Sequence, residues 1–205
     1  MGRNAGGVRV RSISNNGGGG ATEKGYTTKM LKNIVGTEDK YADQKIEYAH
    51  IFNENGDLIK TKSGEKDQVS LGDSPENAIV THNHPLTKTE RADKDLVTFS
   101  AKDLEYAVNK NLKEIRVRTE FHTFSMKRTG KDWGEKAQKF DIDKTYRQMR
   151  TNHAREDVKR VRALIAQKKF GEALALEKKL DGSLDHRAMK DVAKFYGWNY
   201  TMKNQ

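Results

Sequence analysis

Hydrophobic and polar positions follow two different periods along this chain, and the change falls near Gly130. Before it, short stretches alternate with period two, as half-buried strands do. Ile46, Tyr48, His50 and Phe52 oppose Glu47, Ala49 and Ile51; Ile115, Val117 and Thr119 form a second such stretch, with Phe121 to Met126 as its hairpin partner. Asn55-Gly56 predicts a tight turn, with Leu58 to Thr61 as the return strand. Gln68 to Leu71 reads as a weaker strand, and Asn77 to Thr81 as a buried one running straight into His82. Helical spacing marks Thr27 to Val35, where Met30, Leu31, Ile34 and Val35 share a side. A second helix is expected to start at Ser100, with Ser as N-cap and Asp103 in the first turn, ahead of Leu104, Ala107 and Val108.

Beyond Gly130 the period is helical. Ile142, Tyr146, Met149, Val158, Val161, Leu164 and Ile165 fit one stripe of a long helix, broken at Phe170-Gly171. Ala173 to Leu180 continues as a second helix, Asp181-Gly182-Ser183 is a stop, and His186 to Phe195 is a third. The Met and aromatic positions after residue 140 are expected between helices, and the tail Tyr196-Gly197-Trp198-Asn199-Tyr200 is aromatic enough to dock back.

Composition changes this picture at the N-terminus. Of 205 residues, 34% are hydrophobic and 33% charged, so part of the chain is expected outside any packed core. Residues 1–25, with clustered Gly and Arg3, Arg9 and Arg11, bury too little apolar surface to offset backbone entropy and are expected as a disordered arm. The domain division is then the arm, a mixed α/β domain over 26–130, and a basic helical extension over 131–205. Charge follows that division. Residues 45–125 carry 12 Lys/Arg against 14 Asp/Glu, whereas residues 126–205 carry 20 against 11. A nucleic-acid partner for 142–205 and a merely solubilising basic surface both fit that excess. The absence of cysteine excludes disulfides, thiolate zinc sites and a cysteine nucleophile. With no long apolar run, no membrane partner is expected, and the location expected is cytoplasmic.

The segment that carries chemistry is Ile79-Val80-Thr81-His82-Asn83-His84-Pro85. Histidines at i and i+2 on a strand project the same way, so both rings can meet one metal ion, and Pro85 ends the strand behind them. Ser100 and Asp103 lie downstream in a helix's first turn, and Glu47 lies upstream in a strand. Two His and one carboxylate leave a zinc ion with a position for water, and a further carboxylate can act as general base. Asp103 is a candidate ligand, but it is also explained as a capping acid, with Asp93, Asp95 or no residue at all ligating in its place. His50 and His122 read as structural histidines in strands, and His153 and His186 as surface residues on charged helices.

Glu47, then His82-Asn83-His84-Pro85, then Ser100-x-x-Asp103 resembles the JAMM motif of the JAB/MPN metalloprotease-like superfamily. The His-Asn-His-Pro wording is similar to that of its RadC-type and phage or mobile-element branches. The resemblance covers Lys45 to Lys127, about two fifths of the chain. It implies an α/β fold with a mixed sheet and flanking helices. It also implies Zn2+ held by His82, His84 and Asp103, with Glu47 as base and Ser100 steadying the oxyanion. The activity it implies is hydrolysis of an amide or isopeptide bond in a protein or peptide substrate. Similar domains in phage head assembly imply, as an alternative, a virion-associated scaffold with phage structural proteins as partners. The 18 residues between His84 and Asp103 exceed the family's usual gap, so Leu86 to Phe99 reads as an insertion beside the site, a lid or clamp.

Overall fold

Thr27 opens the first helix: its hydroxyl accepts from the Met30 N–H at 3.2 Å, and α1 (Thr28–Tyr41) runs on well past the expected end at Val35. The computed structural model describes residues 25–205, so the arm expected over 1–25 lies outside the described residues apart from Gly25. Next come β1 (Tyr48–Phe52) and β2 (Leu58–Ser63), joined by the Asn55-Gly56 turn. Gly56 takes φ +78° and packs so closely on Met30 that a Cβ would stand 2.8 Å from that side chain, so glycine is required there. The segment 68–71 is a loop and not the weak strand expected; Leu71 is nevertheless buried in the core.

β3 (Ile79–Asn83) is buried along its whole length. A short helix that the sequence reading did not name, α2 (Lys88–Asp93), follows under a Thr87/Glu90 capping box, and then α3 (Ala101–Asn109). β4 (Glu114–Arg118) and β5 (His122–Lys127) form the expected hairpin. The sheet order is β2-β1-β3-β4-β5-β6, with β3 and β4 its one parallel pair. Parallel neighbours cannot be joined by a hairpin, and α3 makes the crossover.

The remaining elements are α4 (Glu135–Lys139), α5 (Ile142–Ala166), α6 (Phe170–Asp181), α7 (Leu184–Tyr196) and β6 (Asn199–Asn204). β6 was not anticipated. It pairs antiparallel with β5, from His122↔Asn204 to Lys127↔Asn199, so the region after residue 130 adds a strand to the same sheet. The core also crosses that boundary. Trp133, Ile142, Met189, Val192 and Trp198 pack with Ala49, Val80, Leu104, Ile115, Val117 and Phe124 on one face of the sheet. The aromatic tail docks there: Trp198 donates to the Trp133 carbonyl (2.7 Å), and its ring stacks on Tyr196. On the other face α1 covers Phe52 and Ile79 with Met30 and Ile34.

Two expectations for the helical part are corrected. Of the Met and aromatic positions after residue 140, Phe170 is exposed (64%) and not held between helices, because α6 has little but α5 to pack against. His186 is half-buried and not a free surface residue: its Nδ1 lies 2.9 Å from the Tyr200 hydroxyl, and its ring packs near Phe124. His153 is half-buried and pairs with Asp191 at 2.9 Å. No helix among the described residues is long and apolar enough to cross a membrane.

His50 has a structural place, with Nδ1 3.0 Å from the Thr61 hydroxyl and Nε2 buried without a partner. Burial, reinforced by Lys40, pushes its pKa down to about 4. An unfolded histidine takes its proton near 6.5, so His50 stabilises the fold fully above that pH and loses the contribution as pH falls toward 4. Urea unfolding is expected to show a loss of about 2 kcal/mol between pH 7 and pH 5 that His50→Gln removes. An equal loss in the variant would assign the acid sensitivity to other groups.

Candidate metal centre

The end of β3 delivers both imidazoles to one place. His82 is buried, His84 is partly exposed, and their Nε2 atoms stand 3.0 Å apart. Asp103 comes from the first turn of α3, with its Oδ1 3.4 Å from His82 Nε2. The three donor atoms lie within 4.8 Å of one another. Ligands about 2.0–2.1 Å from a tetrahedral zinc stand about 3.3 Å apart, so the two measured separations suit a shared ion. The donor set, two imidazoles and a carboxylate, suits one as well.

Asp103 is both cap and candidate ligand, because its two oxygens divide the work. Oδ2 accepts from the Ser100 N–H (2.7 Å) and hydroxyl (2.8 Å), which leaves Oδ1 toward His82. Ser100 Oγ in turn accepts from the Asp103 N–H, so the capping box fixes the carboxylate's direction. Asp93 and Asp95 are not brought to the histidines. Asp93 pairs with Lys178 at 2.6 Å, and Leu96 N–H donates to the Gly182 carbonyl, which ties the 86–99 segment to the α6–α7 junction. That segment also reaches the site, where the Thr98 backbone lies close enough to the His84 ring to favour its proton. Such contacts behind a ligand orient metal-binding histidines.

Glu47 lies beside the three, its Oε1 3.8 Å from His84 Nε2. Its backbone is held from the β2 side: Glu47 N–H donates to Glu65 O (2.7 Å), and Gly64 N–H donates to Glu47 O (2.8 Å). Gly64 is a contributor the sequence reading missed. A Cβ there would stand 2.2 Å from the Gln68 carbonyl oxygen, so only glycine lets the chain close beside Glu47.

The charges in this site are strongly coupled. Burial lifts the Glu47 carboxyl to about 7, with His82 opposing and Asp103 adding to the rise. Burial, then the neighbouring His82, push His84 down to about 4. Burial alone would also lower His82, but Asp103 and Glu47 outweigh it and raise its pKa. Burial works against the Asp103 charge too, yet His82, His84 and Ser100 hold that carboxyl well below the usual range. The result is an ionised Asp103, a neutral His84 and a Glu47 poised between states, while His82 holds its proton more tightly than a free histidine and must release it to bind a cation.

Far from this centre, α5 turns Arg155, Arg160 and Arg162 to solvent, and no carboxylate pairs with them among the described residues. Comparison with family models, with curated proteins and with solved structures finds no match to the chain.

Proposed function

We propose that the chain is a zinc-dependent hydrolase of the JAB/MPN type, acting on an amide or isopeptide bond of a protein or peptide. The observation that supports this most is the convergence of His82 Nε2, His84 Nε2 and Asp103 Oδ1 beside Glu47, a carboxyl that stands apart from the three. His82, His84 and Asp103 would hold the zinc ion, which when bound would supply Lewis acidity toward a carbonyl and make a water proton easier to remove near neutral pH. Glu47 receives that proton at its carboxylate and passes it to the leaving amine. Before a cation binds, burial lifts its proton affinity toward neutrality, the direction that a group that must both take and give a proton requires. Ser100 holds Asp103 in place, and its hydroxyl can rotate toward a carbonyl oxygen as charge develops there.

Elemental analysis of the purified protein is expected to find about one zinc per chain, and little in His84→Ala, since catalytic sites of this kind keep three protein ligands. The zinc-loaded protein is expected to cleave either an internally quenched peptide or a lysine-branched isopeptide reporter. A metal-free protein, or a loaded one inert toward both reporters, would overturn the reading.

A further inference from the structure

The residue between the two histidines has its own task. The β1–β3 ladder ends at Ala49 and His82, two residues past Glu47 along β1's approach. Beyond that point the Asn83 side chain replaces the backbone rungs: its Oδ1 accepts from the Tyr48 N–H (2.6 Å), and its Nδ2 donates to the Ile46 carbonyl (3.0 Å). Those two backbone groups bracket Glu47. Glu47's own N–H and carbonyl are taken on the opposite side by Glu65 and Gly64. Four hydrogen bonds, two from each flank, therefore fix three consecutive residues of β1's approach. Asn83 is buried (2% exposed), and its amide offers the donor and acceptor that the two bracketing groups need.

We propose that Asn83 is a positioning residue that sets the Glu47 carboxylate against the metal ligands; this rests on the hydrolase reading given above. Because Asn83 lies between His82 and His84, one strand end carries both the metal donors and the clamp on the base. A shift in β3 therefore moves ligands and base together. No other side chain is hydrogen-bonded to both Ile46 and Tyr48 among the described residues. A side chain of similar size without the amide, as in Asn83→Leu, leaves the ladder's last rungs unmade and lets the Glu47 segment drift.

The test uses the full chain carrying Asn83→Leu, and Asn83→Asp as a second variant that keeps the acceptor for Tyr48 but sets an oxygen against the Ile46 carbonyl. With the cleavable reporter, Asn83→Leu is expected to lower kcat by roughly 10- to 100-fold, the scale of a misplaced catalytic group, with KM within about threefold. Zinc content stays near one per chain, and the Tyr48 amide exchanges at least about tenfold faster while the Ile115 amide does not. In a Glu47→Gln background, Asn83→Leu is expected to cost under about threefold, because a residue acting through Glu47 has nothing left to position. The inference is overturned if Asn83→Leu retains wild-type kcat, if Tyr48 stays protected, or if the full loss persists without Glu47. Loss of zinc in both variants also overturns it, by assigning Asn83 to the ligand strand. Should the wild-type protein neither bind zinc nor cleave, the hydrolase reading has failed, and the role proposed for Asn83 falls with it. The Tyr48 exchange measurement then reports on the clamp alone.

Discussion

Glu47→Gln is expected to lower the rate of reporter hydrolysis by about 10²–10⁴-fold, the range for removal of a general base, with zinc still near one per chain. The amide keeps the side chain's size and removes only the ability to take a proton. Zinc is retained because Glu47 is outside the group of three converging donors. Stability of the metal-free protein should not suffer. Burial makes the Glu47 carboxylate costly, lifting its pKa to about 7, and a neutral amide is relieved of that cost above this pH. Parallel zinc and thermal-unfolding measurements check both points. A variant that hydrolyses as fast as the wild type would remove Glu47 from the mechanism, and one that loses zinc would make it a ligand.

The largest expected effect on stability lies on the opposite face of the sheet. Arg116 is buried beneath α1, donating through Nε and Nη2 to Glu38 (2.6 and 3.1 Å) and through Nη1 to Glu114 (2.8 Å). Thr81 also donates to Glu38, and Ser125 and Tyr26 donate to Glu114, so the carboxylates are well satisfied while the guanidinium stands between them. Arg116→Met leaves two buried carboxylates without that charge and is expected to cost about 3–5 kcal/mol. For a chain of this size the corresponding fall in Tm is roughly 6–20 °C. Adding Glu38→Gln and Glu114→Gln should recover a good part of the loss, since both orphaned charges are then gone. A fall of under about 1 kcal/mol in Arg116→Met would mean that water reaches the network and screens it.

How far the sequence reveals such features depends on whether they are local. His82 and His84 were legible because strand parity alone sends both rings one way, and Ser100 with Asp103 because a capping box is written within four residues. The alternation of Ile115 and Val117 marks β4, but the residues between them mislead. Glu114, Arg116 and Arg118 look solvent-facing in sequence and are buried, since only the folded chain brings α1 over them. β6 was missed for a related reason. Tyr200 and Met202 alternate with Asn199, Thr201 and Lys203, yet so polar a segment becomes a strand only when the β5 edge is there to pair with it. Gly64 and the Asn83 clamp carry no local signature, because each acts through a contact with a distant backbone. The α2 helix, by contrast, was within reach: Thr87 and Glu90 spell its cap.

The β3–α3 crossover makes chemistry and selectivity separable. The candidate ligands sit on a strand end and a helix start, both anchored in the sheet and its core, while residues 86–99 leave from one and return to the other. Doubling the length of such an excursion costs only about 0.6 kcal/mol in closure entropy. Insertions and deletions in its outer part, ahead of the buried Thr98 and Phe99, can therefore accumulate through evolution without displacing an imidazole or the Asp103 carboxylate. Divergent descendants of this chain could keep one reaction and change what they accept, with the altered residues lying almost wholly in that connection.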